Sequence, residues 1–240
     1  MKKLNNKQIK ILFFGDSNTW GYQPIGQGKF VRLKEQKYSQ IVKKELELKL
    51  KQNIEIIEEG LNGRTIFSFD KRGGKVGCEY LKPCLESHDP IDYVVIMLGT
   101  NEFKDEFNNS ANFIADMFEK NIIKQVINYN GYFDKKPNLI IVAPPHLEHR
   151  DDNAIYEYAI KEHRPKQLEK LLYLLSQKYE CGFLSAHDLP LSMDGEHLTI
   201  KSHEKLGNIV CQKIFVNELK KQIKANNNKE LQVEALLNGQ

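Results

Sequence analysis

Short runs of consecutive apolar residues alternate along the chain with longer stretches in which apolar positions recur at helical spacing. Ile9-Lys-Ile-Leu-Phe-Phe14, Ile54-Glu-Ile-Ile57, Asp92-Tyr-Val-Val-Ile-Met-Leu98, Asn138-Leu-Ile-Ile-Val142 and the weaker Cys181-Gly-Phe-Leu184 are of the first kind. They lack a polar–apolar alternation, so they read as strands covered on both faces. Helical spacing marks Tyr38 to Leu50 (Ile41, Val42, Leu46, Leu50), Gly77 to Leu85, and Asn112 to Tyr129 (Phe113, Ile114, Met117, Ile122, Val126). It recurs after Pro165 (Leu168, Leu171, Leu172, Leu175) and, after an irregular start, from Ile200 to Lys221. Strand–helix alternation of this kind predicts an α/β fold: a flavodoxin-like, three-layer α/β/α arrangement around a five-stranded parallel sheet. Residues 1–225 read as one domain without repeats or a Gly/Ser linker. Residues 226–240 read as a polar tail or extension, weakly amphipathic towards its end.

Composition narrows the picture. The 240 residues are 40% hydrophobic and 28% charged, which suits a globular chain rather than a disordered one. A net charge of +3, with lysines spread rather than blocked, gives no field that would favour nucleic acid. The longest strongly apolar run, Tyr93 to Leu98, falls far short of the roughly 18 residues of a membrane span. Ile11-Leu-Phe-Phe14 is likewise too short for the apolar core of a secretory leader, about 7–15 residues. These readings predict a cytoplasmic protein with no membrane and no nucleic-acid partner. Cys78, Cys84, Cys181 and Cys211 form no Cys-x-x-Cys pair and lack histidines in zinc-finger register, so they are expected to be reduced, buried, structural thiols.

In a doubly wound sheet, ligands bind beyond the carboxyl ends of the strands, and the residues there are chemically distinctive. The first strand ends in Gly15-Asp16-Ser17-Asn18, the second runs into Gly60-Leu-Asn62-Gly63-Arg64, and the third ends in Gly99-Thr100-Asn101-Glu102. Asp194-Gly-Glu-His197 follows the fifth. A serine hydroxyl attacks a carbonyl only if a base takes its proton. His197 can be that base for Ser17, and Asp194 can bond its other ring nitrogen and fix the tautomer. The backbone N–H groups of Ser17 and Gly63 and the side-chain amide of Asn101 can form an oxyanion hole. Singly, each segment is an ordinary turn, cap or loop; their succession after the strands of one sheet points to acyl transfer. His88, His146, His149, His163, His187 and His203 fall outside this pattern and are assigned to surface or loop positions.

Those blocks resemble the SGNH (GDSL-type) hydrolase superfamily, most closely its bacterial arylesterase/acyltransferase branch. The similar stretches are Phe14-Gly-Asp-Ser17-Asn-Thr-Trp20-Gly, Gly60-Leu-Asn-Gly63-Arg-Thr65, Ile96-Met-Leu-Gly-Thr-Asn101-Glu and Asp194-Gly-Glu-His197, and the similarity extends to about Lys221. The resemblance implies a flavodoxin-like sheet, no metal or organic cofactor, and hydrolysis of small acyl esters or thioesters through an acyl-serine. By position it makes Ser17 the nucleophile, His197 the base, Asp194 its orienter, and Ser17, Gly63 and Asn101 the oxyanion hole. Two departures stand out. Glu102 takes the place of the usual Asp, which changes the hydrogen bonds around Asn101, and Gln23 to Gln36 differs from the branch near the pocket rim.

Other serine and metal chemistries lack their residues. An α/β-hydrolase elbow needs Gly-x-Ser-x-Gly, and Thr19 occupies the second glycine's place. A two-metal phosphoesterase needs an early Asp-x-His pair, which Ile9 to Phe14 does not offer. Trp20 and Tyr22 could wall an acyl pocket or simply pack. The long connection from Ala143 to Pro165 is expected to border the substrate entrance, and such insertions build oligomers in the arylesterase branch, so the resemblance allows a homo-oligomer. The main alternatives are a non-catalytic module holding a carbohydrate or acyl ligand on the same fold, and a thioesterase or acyltransferase.

Overall fold

The structure is a computed structural model that describes residues 8–69, 73–150 and 155–237. Five parallel strands make the central sheet: β1 (Ile9–Gly15), β4 (Ile54–Gly60), β5 (Tyr93–Met97), β6 (Asn138–Ala143) and β7 (Gly182–Ser185). Their spatial order is β4-β1-β5-β6-β7, the flavodoxin order once the outlying hairpin is left aside. The direction of winding reverses beside β1, so the crevice beyond the ends of β1, β4 and β5 is where a ligand site is expected.

The unbroken apolar runs have a plain structural reason. Leu12, Phe14, Val94, Ile96, Leu139 and Ile141 point into one buried cluster, and Ile11, Phe13, Val95, Met97, Ile140 and Val142 into the other. Successive strand residues face opposite sides, so a strand covered on both must be apolar at nearly every position. The first cluster is closed by α3 (Gly77–His88), α4 (Ala111–Phe118) and α7 (Arg164–Lys178) through Leu81, Ile114 and Leu168. The second is closed by α2 (Tyr38–Leu50) and α8 (Ile200–Leu237) through Val42, Leu46, Leu206, Val210 and Ile214. At about 25 cal/mol per Å² of apolar surface, these two layers carry most of the drive to fold.

Three elements depart from the sequence pattern. The helix expected over Asn112 to Tyr129 is interrupted: α4 passes into a π-helical turn, Glu119–Ile123, and then α5 (Lys124–Ile127). Residues expected near the pocket rim, given no element from their pattern, form an antiparallel hairpin, β2 (Tyr22–Gly26) with β3 (Lys29–Arg32), beside the first turn of chain after β1. The last helix runs past Lys221 to Leu237. The long connection after β6 also holds a short helix, α6 (Glu157–Lys161). No helix among the described residues is long and apolar enough to cross a membrane.

Candidate active site

The chain leaves β1 at Gly15 and turns at once into α1 (Ser17–Trp20), capped by Asp16, whose Oδ1 accepts the Asn18 N–H at 3.0 Å. This cap puts Ser17 at the start of a helical turn lying against β4. Gly60 permits that approach, because a Cβ there would sit 2.2 Å from the Trp20 nitrogen.

The segment after β7 folds back on itself: Ser192 N–H donates to the His197 carbonyl at 2.6 Å, and Leu191 bridges to Leu198. Inside this small loop, Asp194 Oδ1 accepts the backbone N–H groups of Glu196 (3.2 Å) and His197 (3.1 Å). Its Oδ2 lies 2.6 Å from His197 Nδ1, and His197 Nε2 lies 2.8 Å from Ser17 Oγ. Two further contacts hold the imidazole over the serine. Asn18 Oδ1 accepts the Leu198 N–H at 2.8 Å, tying the two loops together. The Tyr22 ring stacks on the His197 ring with centroids 4.3 Å apart, and Phe30 stacks on Tyr22 in turn. Tyr22 therefore supports the imidazole, whereas Trp20 is half-buried against Phe30 and Arg32, to one side. The contact from Asn18 went unforeseen; its position next to Ser17 was the available signal.

The electrostatics follow from burial and pairing. Burial raises the Asp194 carboxyl, but the hydrogen bond and charge of His197, with two backbone N–H groups, outweigh it and hold Asp194 below the usual carboxylate range. Burial lowers His197, yet the Asp194 hydrogen bond and the charges of Glu196, Asp194 and Asp16 outweigh that and raise it above 6.5. Together they form a polarised line in which the imidazole can take the Ser17 proton and Asp194 can stabilise the resulting imidazolium.

Asp16 behaves in the opposite way. Burial pushes its carboxyl up to about 6, only partly offset by the Asn18 N–H and the His197 charge, and its Oδ2 has no hydrogen-bond partner among the described residues. Between 3.8 and about 6 the folded chain binds a proton there that the unfolded chain does not, so stability falls as pH rises through that window. Asp16→Asn keeps an acceptor for the Asn18 N–H and removes the buried charge. It is expected to stabilise the protein by up to about 3 kcal/mol at pH 7 and by almost nothing below about pH 4. Urea unfolding at the two pH values checks this; an equal change at both would refute it.

The other side of the crevice is built by the loop after β4. Gly63 adopts φ +78°, in the left-handed region where glycine is unstrained. The buried Arg64 guanidinium bonds the carbonyls of Gly15 and Glu59 and lies 4.3 Å over the Phe14 ring, fixing this loop to the ends of β1 and β4. Asn101 sits just after β5 in a 3₁₀ turn, Thr100–Phe103, and its Nδ2 donates to the Arg64 carbonyl at 3.2 Å. An amide nitrogen carries two N–H groups, so one remains for another acceptor. Glu102 proves to be a loop anchor: its Oε1 accepts the N–H groups of Ile66 (2.7 Å), Phe67 (2.8 Å) and Ser68 (3.1 Å). Its Oε2 accepts from the Ser68 hydroxyl and from Asn109 Nδ2.

The connection after β6 lies against the His197 loop, with the Glu148 N–H donating to the Gly195 carbonyl (2.9 Å) and the Tyr156 hydroxyl to Glu196 Oε1 (2.8 Å). Of the histidines assigned to surface or loop positions, His149 and His163 are exposed and His146 and His187 lie in loops, but the assignment of His203 needs correction. His203 is fully buried in α8, its Nδ1 accepting the Tyr38 N–H at 3.4 Å, and burial with the neighbouring His197 and Lys37 lowers it to about 4. His146 and His187 are partly buried against Glu169, and burial with the neighbouring His187 lowers His146 to about 4. All four cysteines are free; Cys84 and Cys211 are buried, and Cys78 and Cys181 only partly so.

The model of the GDSL-like lipase/acylhydrolase family matches residues 11–210 of this chain. Among solved structures, the chain is similar to Est24, a carbohydrate acetylesterase from Sinorhizobium meliloti (30% identity, TM-score 0.78, covering 86% of this chain and 98% of that one). It is also similar to the aryl esterase of M. smegmatis (28% identity, TM-score 0.75) and to a putative arylesterase from Agrobacterium tumefaciens (27%, TM-score 0.72). Each covers 86% of this chain and 98% of its own. No curated protein sequence matches.

Proposed function

Since the chain belongs to the GDSL-like lipase/acylhydrolase family and is a carboxylic ester hydrolase, we propose that it cleaves small acyl esters, acetyl or short-chain, through an acyl-serine at Ser17. The observation carrying this reading is the unbroken line from Ser17 Oγ through the His197 ring (2.8 Å) to Asp194 (2.6 Å). His197 Nε2 takes the hydroxyl proton as Oγ attacks the ester carbonyl. The oxyanion that forms is met by the N–H groups of Ser17 and Gly63 and by the second N–H of the Asn101 amide. The imidazolium then protonates the departing alcohol, and the same base activates water to free the acyl group.

Acetylated sugars and aryl esters are the first substrates to consider, because similar solved enzymes are named as a carbohydrate acetylesterase and an aryl esterase. The aromatic stack of Tyr22 and Phe30 beside His197 supplies an apolar, planar flank suited to an aryl or sugar-ring leaving group. The purified protein is expected to turn over p-nitrophenyl acetate, and Asn101→Ala to lower kcat about 100- to 1,000-fold. A panel of acetylated sugars and acyl thioesters then sets the preference. Wild-type turnover no better than the variant's across all acyl lengths would instead favour a non-catalytic binding module.

A further inference from the structure

We propose that His146, Glu169 and His187 form a binding site for one divalent transition-metal ion of the zinc class, outside the ester-cleaving centre. The three residues come from three segments: the loop after β6, the middle of α7 and the loop after β7. One potential ligand atom from each lies within 4.8 Å of the others. His146 Nε2 is 3.7 Å from Glu169 Oε2, and His187 Nδ1 is 3.2 Å from Glu169 Oε1. A tetrahedral ion with ligands at about 2.0–2.2 Å sets neighbouring donor atoms roughly 3.3–3.5 Å apart. The two histidine–carboxylate separations are therefore close to that spacing, with all three ligand atoms inside 4.8 Å.

Two features of the cluster ask for a cation. His146 Nε2 is screened from solvent and has no hydrogen-bond partner among the described residues. His187 faces a carboxylate at each nitrogen: Glu169 at Nδ1 and, 3.0 Å from Nε2, Asp188. With an ion at Nδ1, Asp188 beside Nε2 would stand where the outer carboxylate that typically orients a metal-bound histidine stands. The Ser185 hydroxyl, donating to Glu169 Oε1 at 2.6 Å, holds the third ligand in place. Two imidazoles and one carboxylate select zinc and its neighbours over calcium or magnesium, which take oxygen ligands.

Such an ion would act as a clamp. The two ligand loops already touch through the His146 N–H and the His187 carbonyl (3.3 Å), and the first continues to Glu148, whose N–H bonds Gly195 between Asp194 and His197. Binding would stiffen the support of the His197 loop and take no part in bond cleavage. The inference stands apart from the assignment of Ser17.

The test uses the full chain, tag-free and freed of metal by a chelator, titrated with Co²⁺ and then Zn²⁺. One equivalent of Co²⁺ is expected to give the visible bands of a four-coordinate ion without thiolate charge transfer, zinc to displace it, and zinc to raise the thermal midpoint. His187→Ala and Glu169→Gln should each abolish the signal, and Asp188→Asn should weaken binding about 10- to 100-fold. Circular dichroism establishes that each variant is folded, and Glu169→Gln, nearly isosteric, serves if His187→Ala is not. No saturable binding, or binding retained in the folded variants, would overturn the proposal. So would a thiolate band, which would put the ion at the Glu59–Cys84–His88 group instead.

Discussion

Replacing Ser17 with alanine is expected to lower kcat on p-nitrophenyl acetate by about 10⁶-fold, and replacing His197 with alanine by a similar factor. The double variant should lose little more than either single one. The reason lies in the geometry: with Ser17 Oγ and His197 Nε2 2.8 Å apart, hydroxyl and imidazole are expected to act as one unit. Without the base the hydroxyl keeps its proton, and without the hydroxyl the base has nothing to activate except water. Residual turnover, about 10³- to 10⁴-fold over water, would come from substrate binding and the donors around Gly63 and Asn101. Steady-state kinetics of the three variants, with mass spectrometry of a serine-directed phosphonate adduct, would decide the matter. Labelling at another serine, or independent losses that multiply in the double variant, would remove Ser17 from the nucleophile's role.

The parts of the molecule that could be read from the sequence are those where burial leaves a periodic signature. Strands covered on both faces must be apolar at successive positions, so β1, β5 and β6 announced themselves, and the strand order put Gly15, Gly60 and Gly99 at one edge. The β2–β3 hairpin gave no such signal, because its apolar residues Ile25, Phe30 and Val31 are exposed and its pairing depends on a turn through Gln27 and Gly28, both at positive φ. The π-helical turn was invisible because an extra residue per turn scarcely shifts the apolar rhythm across five residues. His203 was misjudged although a clue existed: it lies on the same helical stripe as Leu206, Val210 and Ile214, all fully buried. Glu102 could not be interpreted from its neighbours in sequence, since the N–H groups it binds belong to a loop more than thirty residues away. A carboxylate accepting several backbone donors from a distant loop leaves no trace in local composition.

Asp194→Asn is the substitution that separates orientation from proton transfer. It is expected to reduce kcat about 10⁴-fold while leaving Ser17 and His197 in place, because an amide can present its N–H to Nδ1 and hold the wrong tautomer. The pH profile adds a signature that simple loss of structure would not produce. In the wild type, burial lowers His197, but the Asp194 hydrogen bond, followed by the charges of Glu196, Asp194 and Asp16, raises it above 6.5. The acid limb of kcat/KM, where the imidazole would become protonated and unable to act as base, is therefore expected above that value. Removing the Asp194 charge removes the largest raising influence, so the limb should move to lower pH even as the plateau drops. The stability linkage runs the same way. A raised His197 stabilises the fold below 6.5, and this is lost as pH rises through its folded pKa. A lowered Asp194 stabilises it above 3.8, and this is lost as pH falls through its folded pKa. The pair's contribution is thus fully present between those two ordinary values, and Asp194→Asn should cost most stability near pH 5. Rate profiles and unfolding midpoints measured on the same samples check both halves. An acid limb that stays where it was in the wild type would mean that Asp194 does not govern the imidazole.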